Sequence, residues 1–313
     1  MNYVFLMDPL SSVIVEKDTT FILMLSAYRK GHKVFFLPSG GMVLKYGKVN
    51  FHVTEVVPQQ VKGAPFLEKD NYCLSDDEVD VVFIRTDPPF NYEYLVNTWL
   101  LERLPSKVKV INDPSGVRAA NEKIWATQFV SVIPPTLVGR QKSELLDFLS
   151  TENEIVAKPT DGFGGQQIFK IKNGDSNASV IFETLTQNYL RDIVLQKYIE
   201  ESNTGDKRIL LLDSEPLGAV LRVHCESDHR NNIFSGGKVE RSCVTDNDLK
   251  IINEISHELK RLGLYFVGID IIGEYLIEIN VTSPTCIQEI NRFNNDKLED
   301  KVIEFSEKLT EEN

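Results

Sequence analysis

The sequence predicts two units: an α/β domain on a parallel sheet over residues 1–120, then an α+β domain with antiparallel sheets over residues 121–313. Three observations predict this. A length of 313 residues is room for two domains of roughly 150 each. The first third alternates strand-type apolar runs with helical periodicity, the pattern of a parallel sheet covered on both faces. After residue 121 strands come in pairs joined by short turns, which means hairpins mixed with helices.

In the first unit, residues 3–7 form a short apolar strand. Asp18 caps a helix whose apolar positions Phe21, Ile22, Leu25 and Tyr28 keep helical spacing, and Gly31 stops it. Residues 33–37 are the second strand. A polar, glycine-bearing stretch follows from 39 to about 77, to which the pattern assigns no element. Residues 79–84 read as a buried strand, 92–103 as an amphipathic helix and 108–111 as another strand. In the second unit, 143–149 is a short helix, and strands 154–158 and 167–172 flank a glycine-rich loop. A helix near 180–189 precedes a strand at 193–198. Strands 207–213 and 217–223 make a hairpin around Ser-Glu-Pro. Residues 249–262 form a helix with the stripe Ile251, Ile252, Ile255, Leu259 and Leu262, and Gly263 ends it. Strands 265–272 and 275–281 form a last hairpin about Gly273 and Glu274.

Composition bounds the function. Apolar residues make up 42% and charged ones 26%, enough for a sizeable core and unlike a collagen-like, disulfide-stapled or disordered chain. A net charge of −12 repels polyphosphate, which argues against nonspecific binding of nucleic acid or anionic membranes. Any anionic ligand needs a local pocket of Lys and Arg. No run approaches the roughly 18 apolar residues of a membrane span, and the N-terminus lacks the pattern of a signal peptide. The four cysteines form no CxxC pair, so reduced thiols in a cytoplasmic protein are expected. His224, Cys225 and His229 sit in a polar, turn-rich segment, better read as a solvated loop than as a structural zinc site.

Three places carry chemistry. The loop Lys158-Pro-Thr-Asp-Gly162-Phe-Gly164-Gly165 can turn tightly and offer backbone amides to an oxygen-rich anion. It is followed by a strand, so it is neither a Walker loop nor a dinucleotide fingerprint. A plain hairpin turn does not need three clustered glycines, and the loop reads as a phosphate lid over residues 160–167. Lys158 and Lys123 bracket the anion pocket this implies. Second, Asp270 interrupts one apolar strand and Glu278 and Asn280 the next. Positions two apart share a face, and carboxylates among Ile and Val need a compensating cation. Such oxygen donors suit Mg²⁺ bridging phosphates. Third, Arg85, Arg208 and Arg222 lie at apolar strands where a guanidinium can clamp a carboxylate. Arg230 lies in the polar segment 224–238, which has the composition of a mobile active-site loop.

Taken together, these segments resemble an ATP-grasp ligase, and specifically the bacterial glutathione synthetase family. The likeness runs nearly end to end: Met7-Asp-Pro, Asp87-Pro-Pro-Phe, Asn121-Glu-Lys, Lys158-Pro-x-Asp-Gly-x-Gly-Gly, Gly205-Asp-Lys-Arg, Val267-Gly-Ile-Asp-Ile-Ile-Gly and Glu278-Ile-Asn-Val-Thr-Ser-Pro-Thr-Cys-Ile. The glycine lid and the Asp/Glu/Asn set belong to the wider ATP-grasp group; Asp-Pro-Pro-Phe and Ile-Asn-Val-Thr-Ser-Pro-Thr narrow it. Thr86, Asn91, Gln166, Gln167, Phe234 and Ser235 depart from the family pattern without removing a phosphate or metal ligand.

The resemblance implies a pre-ATP-grasp N-terminal domain followed by the ATP-grasp domain. It also implies ligation of γ-glutamylcysteine to glycine with ATP as cosubstrate, through an acyl phosphate. By position, Lys123 and Lys158 would hold phosphates under Gly162, Gly164 and Gly165. Gln196, Lys197, Tyr198 and Ile199 would receive adenine, and Asp206 the ribose. Asp270, Glu278 and Asn280 would hold two Mg²⁺, with Mn²⁺ as the substitute. Arg85, Arg208, Arg222, Asn280, Thr282 and Ser283 would bind the peptide, with Arg222 and Arg230 acting at the acyl phosphate. A homotetramer is implied too. A related carboxylate–amine ligase with another acceptor is the alternative, and a noncatalytic nucleotide binder would not need the metal set.

Overall fold

The computed structural model describes residues 1–162, 164–223 and 238–312. Its first sheet has four parallel strands along one side. Asn2–Leu6 lies between Lys33–Leu37 and Val81–Ile84, and Lys109–Ile111 follows on the far side. These strands are buried on both faces, which is why they read as continuous apolar runs. Asp18 caps the helix Thr19–Arg29 by accepting from the Phe21 amide at 2.7 Å, as its position predicts.

The sheet is mixed rather than purely parallel. The stretch 39–77 contributes three antiparallel strands, Met42–Lys45, Lys48–Pro58 and Phe66–Ser75, making seven in all. Phe66–Ser75 is solvent-exposed over most of its length, so it lacks the apolar alternation that would mark it.

The rest of the described chain holds two antiparallel sheets. The four-stranded one runs Phe169–Lys172, Glu154–Pro159, Ile193–Lys197, Thr136–Gly139. The five-stranded one runs Lys238–Arg241, Glu215–Val223, Asp206–Leu212, Phe266–Ile272, Tyr275–Asn280. The four-stranded sheet keeps its own small core with the helices Lys142–Glu152 and Ala178–Leu185. The five-stranded sheet instead shares both large apolar clusters with the first sheet. The C-terminal helix Leu298–Glu311 returns to the first unit: Tyr3 Oη meets Ser306 Oγ at 2.9 Å and Ser26 donates to Asp300 at 2.6 Å. No helix among the described residues is long and apolar enough to cross a membrane.

Candidate active site

A cavity of about 380 Å³ opens between the two antiparallel sheets. Asp87 and Pro88 close one end, just beyond the carboxyl end of the strand Val81–Ile84, where parallel sheets place ligands. Gly162, Gly164 and Gly165 of the glycine loop close another side.

The strands aim their charged residues by period two and by register. Val156 and Lys158 share one face of their strand. In the five-stranded sheet Asp206 is paired across from Arg222, and Arg208 from Asp270, which is paired in turn with Glu278. The result is a buried row of alternating charge. Asp206 accepts from Arg222 Nε and Nη2 at 2.7 and 2.6 Å. Asp270 accepts from Arg208 Nε and Nη2 at 2.5 and 2.8 Å, and Arg222 Nη2 lies 3.0 Å from it as well. Asn280 donates weakly to the same carboxylate at 3.4 Å. Burial alone would raise the Asp270 carboxyl, but the two guanidiniums override it and hold it well below the usual carboxylate range.

Across the cavity stands a second group. Lys123 donates to the Glu122 carboxylate and, at 2.5 Å, to the lid carbonyl of Gly162. Glu278 is 3.7 Å from Lys123 Nζ and 3.8 Å from Lys158 Nζ. Lys158 also donates to Gln196 Oε1 at 3.3 Å. The two ammoniums differ. Burial works against both, but Glu278 and Glu122 raise Lys123 above the ordinary lysine value, while Lys158, wholly buried and beside Lys123, falls below it. Burial and the neighbouring Glu278 raise the Glu122 carboxyl. Two lysines whose carboxylate partners an anion could displace form the local cationic pocket that a chain of charge −12 needs for a phosphate.

At the end of the cavity lined by residues 196–199, Lys170 Nζ lies 3.4 Å from the Tyr198 ring centroid, and Tyr198 Oη donates to Asn203 at 2.7 Å. Lys197 reaches outward to Glu152 at 3.4 Å, and Ile199 lines the cavity. In the turn after Asn280, Ser283 donates to Asp87 at 2.5 Å, and Thr282 lines the same wall.

Arg85 is not in the cavity. It is buried behind that turn, donating to Thr20 Oγ1 and to the Pro284 carbonyl, each at 3.0 Å. Arg230 and the loop 224–237, with His224, Cys225 and His229, lie outside the described residues. Glu122 and Asp87 also line the cavity; the sequence marks them as members of Asn121-Glu-Lys and Asp87-Pro-Pro-Phe but assigns neither a role.

Among the described residues no three His, Cys, Asp or Glu side chains cluster to hold a metal. The oxygen donors of Asp270, Glu278 and Asn280 nonetheless suit Mg²⁺, which takes one or two carboxylates and completes its shell with water and substrate phosphates. Glu278, partly exposed and touching its lysines only at 3.7 to 3.8 Å, is more available than Asp270, whose two oxygens are clamped by guanidiniums.

Residues 1–118 match the family model for the prokaryotic glutathione synthetase N-terminal domain, and residues 122–295 that for the prokaryotic glutathione synthetase ATP-grasp domain. A glutathione synthetase of Brucella melitensis is 40% identical over 293 residues, 92% of each chain. That of Escherichia coli K12 is 39% identical over 288 residues, 91% of this chain and 90% of the relative. Among solved structures, a D-cycloserine synthetase superposes with a TM-score of 0.69 at 14% identity, covering 99% of this chain and 100% of that one. A D-alanine–D-alanine ligase from Bacillus anthracis complexed with ATP gives 0.60 at 13%, covering 100% and 99%. At such identities the two structures speak for the ATP-grasp fold alone.

Proposed function

Since the chain belongs to the prokaryotic glutathione synthetase family, its reaction is the ATP-dependent joining of γ-glutamylcysteine to glycine, and we propose that the cavity between the two antiparallel sheets is where it happens. The observation that carries the placement is the pair Lys123 and Lys158, buried under the glycine lid and facing Glu278.

The cysteinyl carboxylate attacks the γ-phosphate of ATP, the bond to the β–γ bridging oxygen breaks, and ADP leaves an acyl phosphate; the glycine amine then attacks the carbonyl, loses a proton and expels phosphate. No side-chain nucleophile is required, so the protein's work is positioning and charge neutralisation. Lys123 and Lys158 hold the phosphates, and Gly162, Gly164 and Gly165 cover them. Gln196, Lys197, Tyr198 and Ile199 receive the base. Asp206 lies on the ribose side, though its carboxylate is engaged by Arg222. Arg208, Arg222 and Arg230, with Asn280, Thr282 and Ser283, hold the peptide carboxylates and the acyl phosphate. Arg85 supports this wall from behind through Pro284.

Asp270, Glu278 and Asn280 would hold two Mg²⁺, with Mn²⁺ as the substitute, which would supply positive charge against the phosphates. We further propose a division into domains at residue 120 and a cytoplasmic location, which accords with free thiols at Cys73, Cys243 and Cys286. We also propose a homotetramer, as the family resemblance implies; exposed Val43, Leu44 and Tyr46 beside the helix carrying Tyr92 and Trp99 offer an apolar patch for one of its interfaces.

Trapping tests the chemistry. With ATP, Mg²⁺, γ-glutamylcysteine and hydroxylamine but no glycine, the enzyme should form the peptide hydroxamate with equimolar ADP. ADP release with no hydroxamate would rule out the acyl phosphate.

A further inference from the structure

Gln196 faces the base end of the cavity, and its amide can present either a carbonyl or an NH₂ group to a purine. Which one it presents decides whether a 6-amino or a 6-oxo base is accepted. The structure fixes the choice from both ends. Pro134 offers only a carbonyl, which accepts from Thr136 Oγ1 at 2.7 Å. The Thr136 proton is thereby spent, so its oxygen must accept, and it takes Gln196 Nε2–H at 3.0 Å. At the other end Lys158 Nζ can only donate, and it sits 3.3 Å from Gln196 Oε1. Carbonyl, hydroxyl, amide and ammonium thus form one chain of fixed polarity. Thr136 is paired directly opposite Gln196 on the outermost strand of the four-stranded sheet, so the two side chains stand on the same face. Gln196 is buried at the cavity wall, and both ends of its amide are engaged by these partners.

We propose that Thr136 is a positioning residue for nucleotide choice: by holding the Gln196 amide with its oxygen toward the cavity, it makes the site accept a purine that donates at position 6. Oε1 keeps one lone pair beyond the one Lys158 occupies. The adenine amino group donates to it. The 6-oxo group of guanine or hypoxanthine meets it oxygen to oxygen, leaving two acceptors unpaired in a dry site. Val156, opposite Gln196 on its other flank, lines the same end of the cavity and bounds the base there. The inference rests on this cavity being the nucleotide site.

The test compares kcat/KM for ATP, purine riboside triphosphate (no 6-substituent) and inosine triphosphate. A held carbonyl predicts that order, with inosine triphosphate last. An amide free to rotate would turn its NH₂ to the 6-oxo group and use inosine triphosphate better than the unsubstituted purine, which overturns the proposal with no variant needed. Thr136→Val and Thr136→Ala remove the hydroxyl; each should shift the inosine-to-adenosine ratio toward inosine about tenfold at nearly unchanged kcat, and Thr136→Ser should restore the wild-type ratio. Folded Val and Ala variants with the wild-type ratio would also overturn it. Val156→Trp separates the two levels. If it leaves the ATP KM unchanged, the base binds elsewhere and both readings fall; if it blocks ATP while Thr136→Val keeps its discrimination, only the role of Thr136 falls.

Discussion

Replacing Glu278 with Gln asks whether that carboxylate serves a metal or only neutralises lysines. The substitution keeps the shape and removes one charge. Glu278 Oε1 lies 3.7 and 3.8 Å from the two ammoniums, and its side chain is 20% exposed. A unit pair at about 4 Å is worth about 1 kcal/mol in water and about 4 kcal/mol at an effective dielectric near 20. A partly buried pair lies between, so about 2 kcal/mol of attraction passes from the carboxylate to an incoming phosphate, roughly thirtyfold in affinity. Calorimetric titration of ATP in EDTA should therefore show tighter binding to the variant. Turnover at saturating Mg²⁺ should instead fall at least about a hundredfold, with the thermal transition retained. Near-normal activity at limiting Mg²⁺ would refute the assignment of Glu278 as a metal ligand. Unchanged ATP affinity in EDTA would refute its competition for the lysines.

Gly164 has φ +65 and open space where a Cβ would go, so Gly164→Val costs backbone freedom without a collision; the KM for ATP should rise several-fold, and an unchanged ATP dependence would make the loop an ordinary turn. Gly205 has φ +128, and a Cβ there would lie 2.5 Å from the Arg222 carbonyl, so Gly205→Ala should destabilise the fold by about 2 kcal/mol or more; an unshifted thermal midpoint would contradict that. Burial and Lys123 hold Lys158 below the ordinary lysine value, so its charge is lost as pH rises through that lowered value. The KM for ATP should climb on the alkaline side earlier than an ordinary lysine would allow, and Lys158→Arg should move that limb upward; a limb that stays in place assigns it to another group.

The legible parts of the sequence were those where local pattern and burial agree. The doubly buried parallel strands announced themselves as apolar runs, and Asp270, Glu278 and Asn280 stood out because they broke such runs. The exposed strand Phe66–Ser75 carried no alternation to read. The helices Ile287–Asn294 and Leu298–Glu311 were passed over, although Val302, Ile303 and Ser306 keep helical spacing against the first sheet. Pairings across the sheets are set by register, which no local window shows. The clamps of Asp206 by Arg222 and Asp270 by Arg208, and the withdrawal of Arg85 behind Pro284, follow from that register and from the turn at 281–285.

The central claim is that one cavity activates the cysteinyl carboxylate of γ-glutamylcysteine with ATP and passes it to glycine. The most direct measurement follows ADP and ligated product together, with γ-glutamylcysteine fixed and the acceptor amine varied. The expected result is one glutathione per ADP with glycine, and a much lower kcat/KM for bulkier amino acids. Product formation that prefers another amine, or ADP release that ignores γ-glutamylcysteine, would contradict it.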